Sequence, residues 1–263
     1  MAELKLAPEG LFPLPETDNG ATTLDLPIAG TIQGEGLLAG VPSLFLRLAG
    51  CNMFCTWNAP DGSAVTCDTK HALATASSHT ETTTDLLEKI ARHRGKVDHL
   101  VITGGEPLLQ AEALVTLLAE LRSVRPPMHV TLESNGSLYA PELLPYVDLW
   151  SFSPKLYPNF LAGWAIDEAG YTATINRWLQ TLPPWAEVQL KFVVGTLEDE
   201  APLLRFLGAL TLPTNATVLL MPLGATQKAL ELTTPPTLEL CLRHGFRFAP
   251  RLQIMLWGDK VGV

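Results

Sequence analysis

His99-Leu-Val-Ile-Thr-Gly-Gly-Glu-Pro107 decides the architecture. Residues of strand character run straight into two glycines, a carboxylate and a proline, so an extended segment must end in a tight turn near residue 104. The arrangement recurs. Leu44–Leu48 precedes Gly50-Cys51, His129–Glu133 runs into Glu133-Ser-Asn-Gly136, and Asp148–Phe152 precedes Ser153-Pro-Lys155. Further strands are predicted over Val188–Val194, Thr217–Met221 and Arg247–Ile254, with helices over Asp85–His93, Ala111–Arg122, Ala173–Leu182, Glu200–Leu210 and Pro236–His244. Such alternation implies an α/β fold with a mainly parallel sheet and crossover helices. Six or more units predict a full or partial (β/α) barrel, whose chemistry sits at the C-terminal ends of the strands. Four glycine or polar motifs stand at that position.

The chain of 263 residues is 47% hydrophobic, enough for one large domain. Residues 1–25, with Pro8, Pro13 and Pro15 and no periodicity, read as an N-terminal arm, leaving 26–263 as the folded unit. Twenty-seven acidic against 18 basic side chains give a net charge of −9, which argues against nucleic acid or anionic lipid as a partner. A small-molecule substrate fits better. No apolar run of ~18 residues predicts a membrane span, and the N-terminus lacks the pattern of a secretory signal. Four cysteines in so long a chain do not make a disulfide scaffold, so a reducing, cytoplasmic setting is expected.

Three of those cysteines fall within 17 residues, as Cys51-Asn-Met-Phe-Cys55 and Cys67-Asp-Thr69. Thiolates are soft ligands for zinc or iron–sulfur clusters. A structural zinc site would need His71 or His79 as fourth ligand, and such sites favour CxxC-like pairs. Here the first spacing is C-x3-C and no second pair follows. The other reading is a [4Fe–4S] cluster on three thiolates with one iron left open. Cys241, within Leu-Cys-Leu on a predicted helix, reads as a small core residue.

Cys51-x3-Cys55-Thr-Trp57 with Cys67-Asp-Thr69 resembles the C-x3-C-x-Φ-C motif, Φ being aromatic, of radical S-adenosylmethionine (SAM) enzymes. The match requires Asn58–Thr66 to loop out as an insertion, and its Pro-Asp-Gly centre suits a turn. Ile32-Gln-Gly-Glu-Gly36, Phe45-Leu-Arg47, Thr103-Gly-Gly-Glu-Pro107, Glu133-Ser-Asn-Gly136, Ser151-Phe-Ser-Pro-Lys155, Gln189-Leu-Lys191 and Arg251-Leu-Gln253 are similar, in order, to segments of the 7-carboxy-7-deazaguanine synthases. The resemblance spans residues 28–263. It implies an incomplete (β/α)6-type radical SAM barrel that converts 6-carboxy-5,6,7,8-tetrahydropterin to 7-carboxy-7-deazaguanine with loss of ammonia, on the route to queuosine and other 7-deazapurines.

That resemblance also implies roles. Cys51, Cys55 and Cys67 would hold the cluster and Thr69 would face Mg²⁺. SAM would contact Thr66, Asp68, Gly104, Gly105, Glu133, Ser134, Ser153, Lys155 and Lys191. The pterin would contact Ile32, Gln33, Gly34, Glu35, Arg47, Thr103 and Gln253. Gly104 and Gly105 would admit the SAM amino group, having no Cβ. Arg47 would pair with the substrate carboxylate, or else form an internal salt bridge. Gln253 stands where the family often has histidine, which removes a titrating group. A reductant such as flavodoxin or ferredoxin and a homodimer belong to the same expectation. The alternatives are a radical SAM activating enzyme acting on a protein partner, which would not need Gln33, Glu35 and Arg47, and a zinc-stabilised binding module.

Overall fold

Near-continuous apolar runs make the centre of the sheet. In the computed structural model, which describes residues 2–12, 31–73 and 77–258, the strands are β1 (Glu3–Phe12), β2 (Thr31–Ile32), β3 (Pro42–Leu48), β4 (Thr56–Asn58), β5 (Ala64–Thr66), β6 (His79–Thr82), β7 (His99–Gly104), β8 (His129–Ser134), β9 (Leu149–Phe152), β10 (Glu187–Val194), β11 (Ala216–Pro222) and β12 (Arg247–Phe248). The helices are α1 (Lys70–Leu73), α2 (Thr83–Ala91), α3 (Ala111–Ser123), α4 (Glu168–Thr181), α5 (Glu200–Gly208), α6 (Gln227–His244) and α7 (Leu252–Trp257). The main sheet runs β12-β11-β10-β9-β8-β7-β3-β1-β6. From β12 to β3 every neighbouring pair is parallel, whereas β3–β1 and β1–β6 are antiparallel. In β7 all residues but Gly104 are buried, as expected for a strand covered on both faces.

Register aligns the strand ends that carry chemistry. Arg47 lies opposite Thr103, Glu133 opposite Ser151, and Gln189 opposite the same Ser151. Beneath them an aromatic layer packs the sheet against α4 and α5. Trp150 and Trp178 have centroids 4.5 Å apart, and Tyr171, Phe152, Phe192 and Phe206 complete the layer. The Trp178 indole N–H donates to Leu138 O at 2.7 Å, so this ring is buried with its polar atom satisfied.

The sheet of the described residues does not close into a barrel; it ends in β12 at one edge and β6 at the other. The structure corrects three expectations. Residues 3–12 are not an arm but a sheet strand, while 13–25 lie outside the described residues. Leu4 and Leu6 are buried in the core, and between Leu6 and Leu11 the register against β3 shifts, which hid the alternation. Arg247–Ile254 is not one strand: pairing stops at Phe248, Pro250 follows, and Leu252–Trp257 turns into α7. Helix α6 starts at Gln227, capped by Thr226, and carries Pro235 and Pro236 inside instead of beginning at Pro236.

Candidate active site

A cavity of about 670 Å³ opens over the C-terminal ends of the parallel strands. Its lining includes every residue to which the sequence assigns a role, from Ile32 to Gln253. The volume suits a site that holds a cofactor and a small substrate together.

The three thiols arrive from one loop and one hairpin. Cys51 follows β3 through Gly50, and Cys55 and Cys67 flank the β4–β5 ladder, in which Thr56 pairs with Thr66, Trp57 with Val65 and Asn58 with Ala64. Cys67 N donates to Cys55 O at 3.2 Å, which brings the second and third cysteines side by side. The tip is a tight turn: Asp61 Oδ1 accepts from Ser63 N at 2.9 Å, and Ala59 N donates to Ser63 O at 2.9 Å. The inserted residues thus close on themselves.

Burial pushes the Cys51 thiol up to about 11 and raises Cys55 and Cys67 as well. Three thiols held neutral in one cavity wall need a metal centre to become thiolates. Lys155 draws all three the other way, with its Nζ 3.1 Å from Ser153 Oγ and 5.7 Å from the Trp57 ring centroid. The donor chemistry fits an iron–sulfur cluster. Among the described residues no His, Cys, Asp and Glu side chains converge on a single-ion site, and the cavity lining excludes His71 and His79. His71 faces Glu9 at 2.6 Å and His79 faces Glu81 at 3.2 Å.

Glu106, named in the Gly-Gly-Glu-Pro segment but given no role, locks this region. Fully buried, it accepts from Leu108 N, Ser134 Oγ and Asn135 N at 3.0, 2.9 and 2.8 Å. Asn135 Nδ2 donates to Asn52 Oδ1 at 2.9 Å, and Asn52 Nδ2 to Ser137 Oγ at 2.8 Å. The residue after Cys51 is therefore tied to the ends of β7 and β8. Gly104 and Gly105 belong to the same packing: a Cβ on either would lie 2.1 Å from the Leu48 or Gly50 carbonyl oxygen. Their glycine character is required by the neighbouring backbone, whatever ligand they also face.

The same cavity is also lined by an ionic network. Glu35 accepts from Lys191 Nζ at 2.5 Å, Gln253 Nε2 at 2.6 Å and Arg251 Nε at 3.0 Å. Burial alone would raise its carboxyl, but Lys191 and Arg251 hold it well below the usual carboxylate range. For Lys191 burial works downward, and Glu35 and Glu133 outweigh it, so the ammonium is stabilised. Gln33 Nε2 and Thr103 Oγ1 donate to the two oxygens of Glu133 at 3.2 and 2.9 Å. Glu133 and Lys191 thus join the residues expected around the substrate as much as those expected around SAM. Arg251 also reaches Asp68 at 2.6 Å, where Thr69 Oγ1 donates at 3.0 Å. Arg251 stood beside Gln253 in the quoted segment, but its bridge to residues 183 and 216 positions away left no sequence signal. Gln253 lies directly over Gly34, where a Cβ would meet its Oε1 at 1.8 Å.

A mostly parallel sheet that delivers three thiols to one cavity, in a chain whose residues 32–145 match the 4Fe-4S single cluster domain, defines an iron–sulfur α/β enzyme. That match displaces the zinc alternative. A 7-carboxy-7-deazaguanine synthase of Halobacterium salinarum is 32% identical over 93% of this chain and 95% of its own. One of Pyrobaculum aerophilum is 32% identical over 90% of this chain and 96% of its own. The crystal structure of QueE from Escherichia coli superposes with a TM-score of 0.61 at 22% identity, covering 94% of this chain and 93% of that one, and shares the fold. The chain belongs to the 7-carboxy-7-deazaguanine synthase family. No helix among the described residues is long and apolar enough to cross a membrane.

Proposed function

We propose that this protein is a radical SAM 7-carboxy-7-deazaguanine synthase, contracting the ring of 6-carboxy-5,6,7,8-tetrahydropterin with loss of ammonia. One observation carries the reading: the three thiols and the Glu35–Lys191–Glu133 network line the same cavity. Strands β3 and β7 to β11, six of the seven parallel strands, form an incomplete radical SAM barrel. Cys51, Cys55 and Cys67 would hold the [4Fe–4S] cluster, with SAM bound beside it in the same cavity. When bound, these groups supply one-electron, hydrogen-abstracting chemistry. Thr69 offers a hydroxyl towards Mg²⁺, which keeps waters and takes oxygen ligands from the substrate.

The chain's own residues orient and shield. Lys155 and Ser153 supply donors near the thiols, suited to the SAM carboxylate. Lys191 bridges Glu35 and Glu133, its Nζ 2.5 and 3.7 Å from their oxygens, so two carboxylate side chains stand ready for the donor edge of a pterin. Each retains acceptor capacity beyond its internal bonds. Arg47 meets the substrate carboxylate. Buried Glu106 keeps the cluster loop in register with β7 and β8. The electron comes from a donor such as flavodoxin or ferredoxin, and the working unit is a homodimer. An activating enzyme would leave Gln33, Glu35 and Arg47 without a task.

Anaerobically reconstituted protein, incubated with 6-carboxytetrahydropterin, SAM and a chemical reductant, is expected to release 7-carboxy-7-deazaguanine detectable by mass spectrometry. SAM cleavage without any deazaguanine product would sink the assignment.

A further inference from the structure

Glu9 occupies an expensive place. It lies in the stretch of β1 where the register against β3 shifts, five steps from Leu6 to Leu11 against two from Leu48 to Leu46. A bulge of this kind re-aims side chains beside a site. Its side chain is only 9% exposed. A buried carboxylate needs a compensating cation. Arg47 supplies it, its Nε 3.9 Å from Glu9 Oε1, while the His71 ring stands at the same oxygen with Nε2 2.6 Å away.

Arg47 is held from a second direction by the same strand. Its guanidinium carbon lies 5.2 Å from the centroid of the Phe12 ring, which is stacked on Phe45 at 5.3 Å. Phe12, Phe45 and Arg47 line the cavity, whereas Glu9 and His71 do not. Glu9 therefore stands behind the guanidinium as seen from the cavity. Among the described residues Arg47 Nε makes no hydrogen bond. A guanidinium with a ring on its face and a carboxylate at its Nε side loses rotamer freedom before any ligand arrives, and its remaining N–H groups suit a bidentate anion.

We propose that β1 sets the preference for a carboxylated substrate: Glu9 and Phe12 are positioning residues that orient Arg47 towards the ligand's carboxylate. The proposal rests on reading Arg47 as the carboxylate receptor. Equilibrium binding of two unreactive probes, 6-carboxypterin and pterin, to the reconstituted protein separates the two ideas. The wild type is expected to prefer the carboxylated probe. Glu9→Gln should cut that preference about tenfold, the scale of one charge-assisted contact, with pterin affinity changed less than about twofold. Phe12→Leu, which alters no charge, should cut it about threefold to fivefold. In turnover both variants should raise KM and leave kcat in place. The preference comes from dissociation constants on one sample, so an inactive fraction does not distort it. If one variant fails to fold, the other decides. Arg47→Met with the preference intact would overturn the receptor reading itself. Arg47→Met abolishing it, with Glu9→Gln or Phe12→Leu leaving it unchanged, would overturn the proposal alone. So would a preference that rises in Glu9→Gln, the mark of a carboxylate that only repels the ligand.

Discussion

Glu35 shows how far one side chain can be over-determined. Lys191 and Gln253 meet it within 2.6 Å and Arg251 at 3.0 Å, all largely out of water. Glu35→Gln preserves the shape but leaves Lys191 buried beside one fewer negative charge. A loss of about 3 kcal/mol is expected in urea unfolding, because a broken buried pair strands its partner. The double variant Glu35→Gln with Lys191→Met should recover a large part of that loss, and a strictly additive result would contradict the coupling. The Gly-Glu-Gly pattern made Glu35 visible as a candidate. Its pairing with them was not visible, since Lys191 and Arg251, though both in quoted segments, lie 156 and 216 residues away. Gly104 teaches the reverse lesson. It was recognisable as special, yet the neighbour that forbids a side chain is the Leu48 carbonyl.

Strands β3 and β7 to β11 were legible because short, uninterrupted apolar runs ending in glycine or polar residues are too brief for helices and too apolar for loops. Strand β1 was obscured by Pro8 and its register shift, and α7 by apolar residues that read equally well as strand. The hairpin β4–β5 was anticipated only as a loop, since three residues per strand carry too short a pattern to detect. Its ladder, rather than its length, sets the position of Cys67. Replacing Ala59–Ser63 by Asn-Gly, which suits a two-residue hairpin turn, should leave anaerobic iron and sulfide content unchanged. Cys67→Ala should lower both sharply. Loss of cluster on shortening the tip would show that the insertion itself takes part in binding.

Across the whole molecule the two ends of the sheet do different work. The ligand cavity sits at the C-terminal ends, and the N-terminal ends of β7 and β8 carry a buried polar cluster. His99 lies 2.7 Å from Ser43 Oγ and 2.8 Å from Thr131 Oγ1, with the His129 ring edge-on at 5.1 Å. Burial, with His129 adding, drops its pKa from 6.5 to about 4. Between those values the unfolded chain binds a proton that the folded one refuses. Stability is therefore complete above pH 6.5 and declines as pH falls towards 4, by about 3 kcal/mol in total for this group. Urea midpoints from pH 7 to 4 should show that slope, and His99→Gln should flatten it. An equal slope in the variant would assign the effect elsewhere.

The ladder between Cys55 and Cys67 also separates distance along the chain from distance in space. Eleven residues intervene, yet the backbone crosses from one cysteine to the other in a single 3.2 Å hydrogen bond. Pattern matching that insists on a fixed third spacing would pass over this chain and any relative that drifted in length at the same point. For protein engineers the turn at Asp61-Gly62 is a graft point, where a tag or a reporter dye could be carried a few residues from the redox centre without moving its anchors.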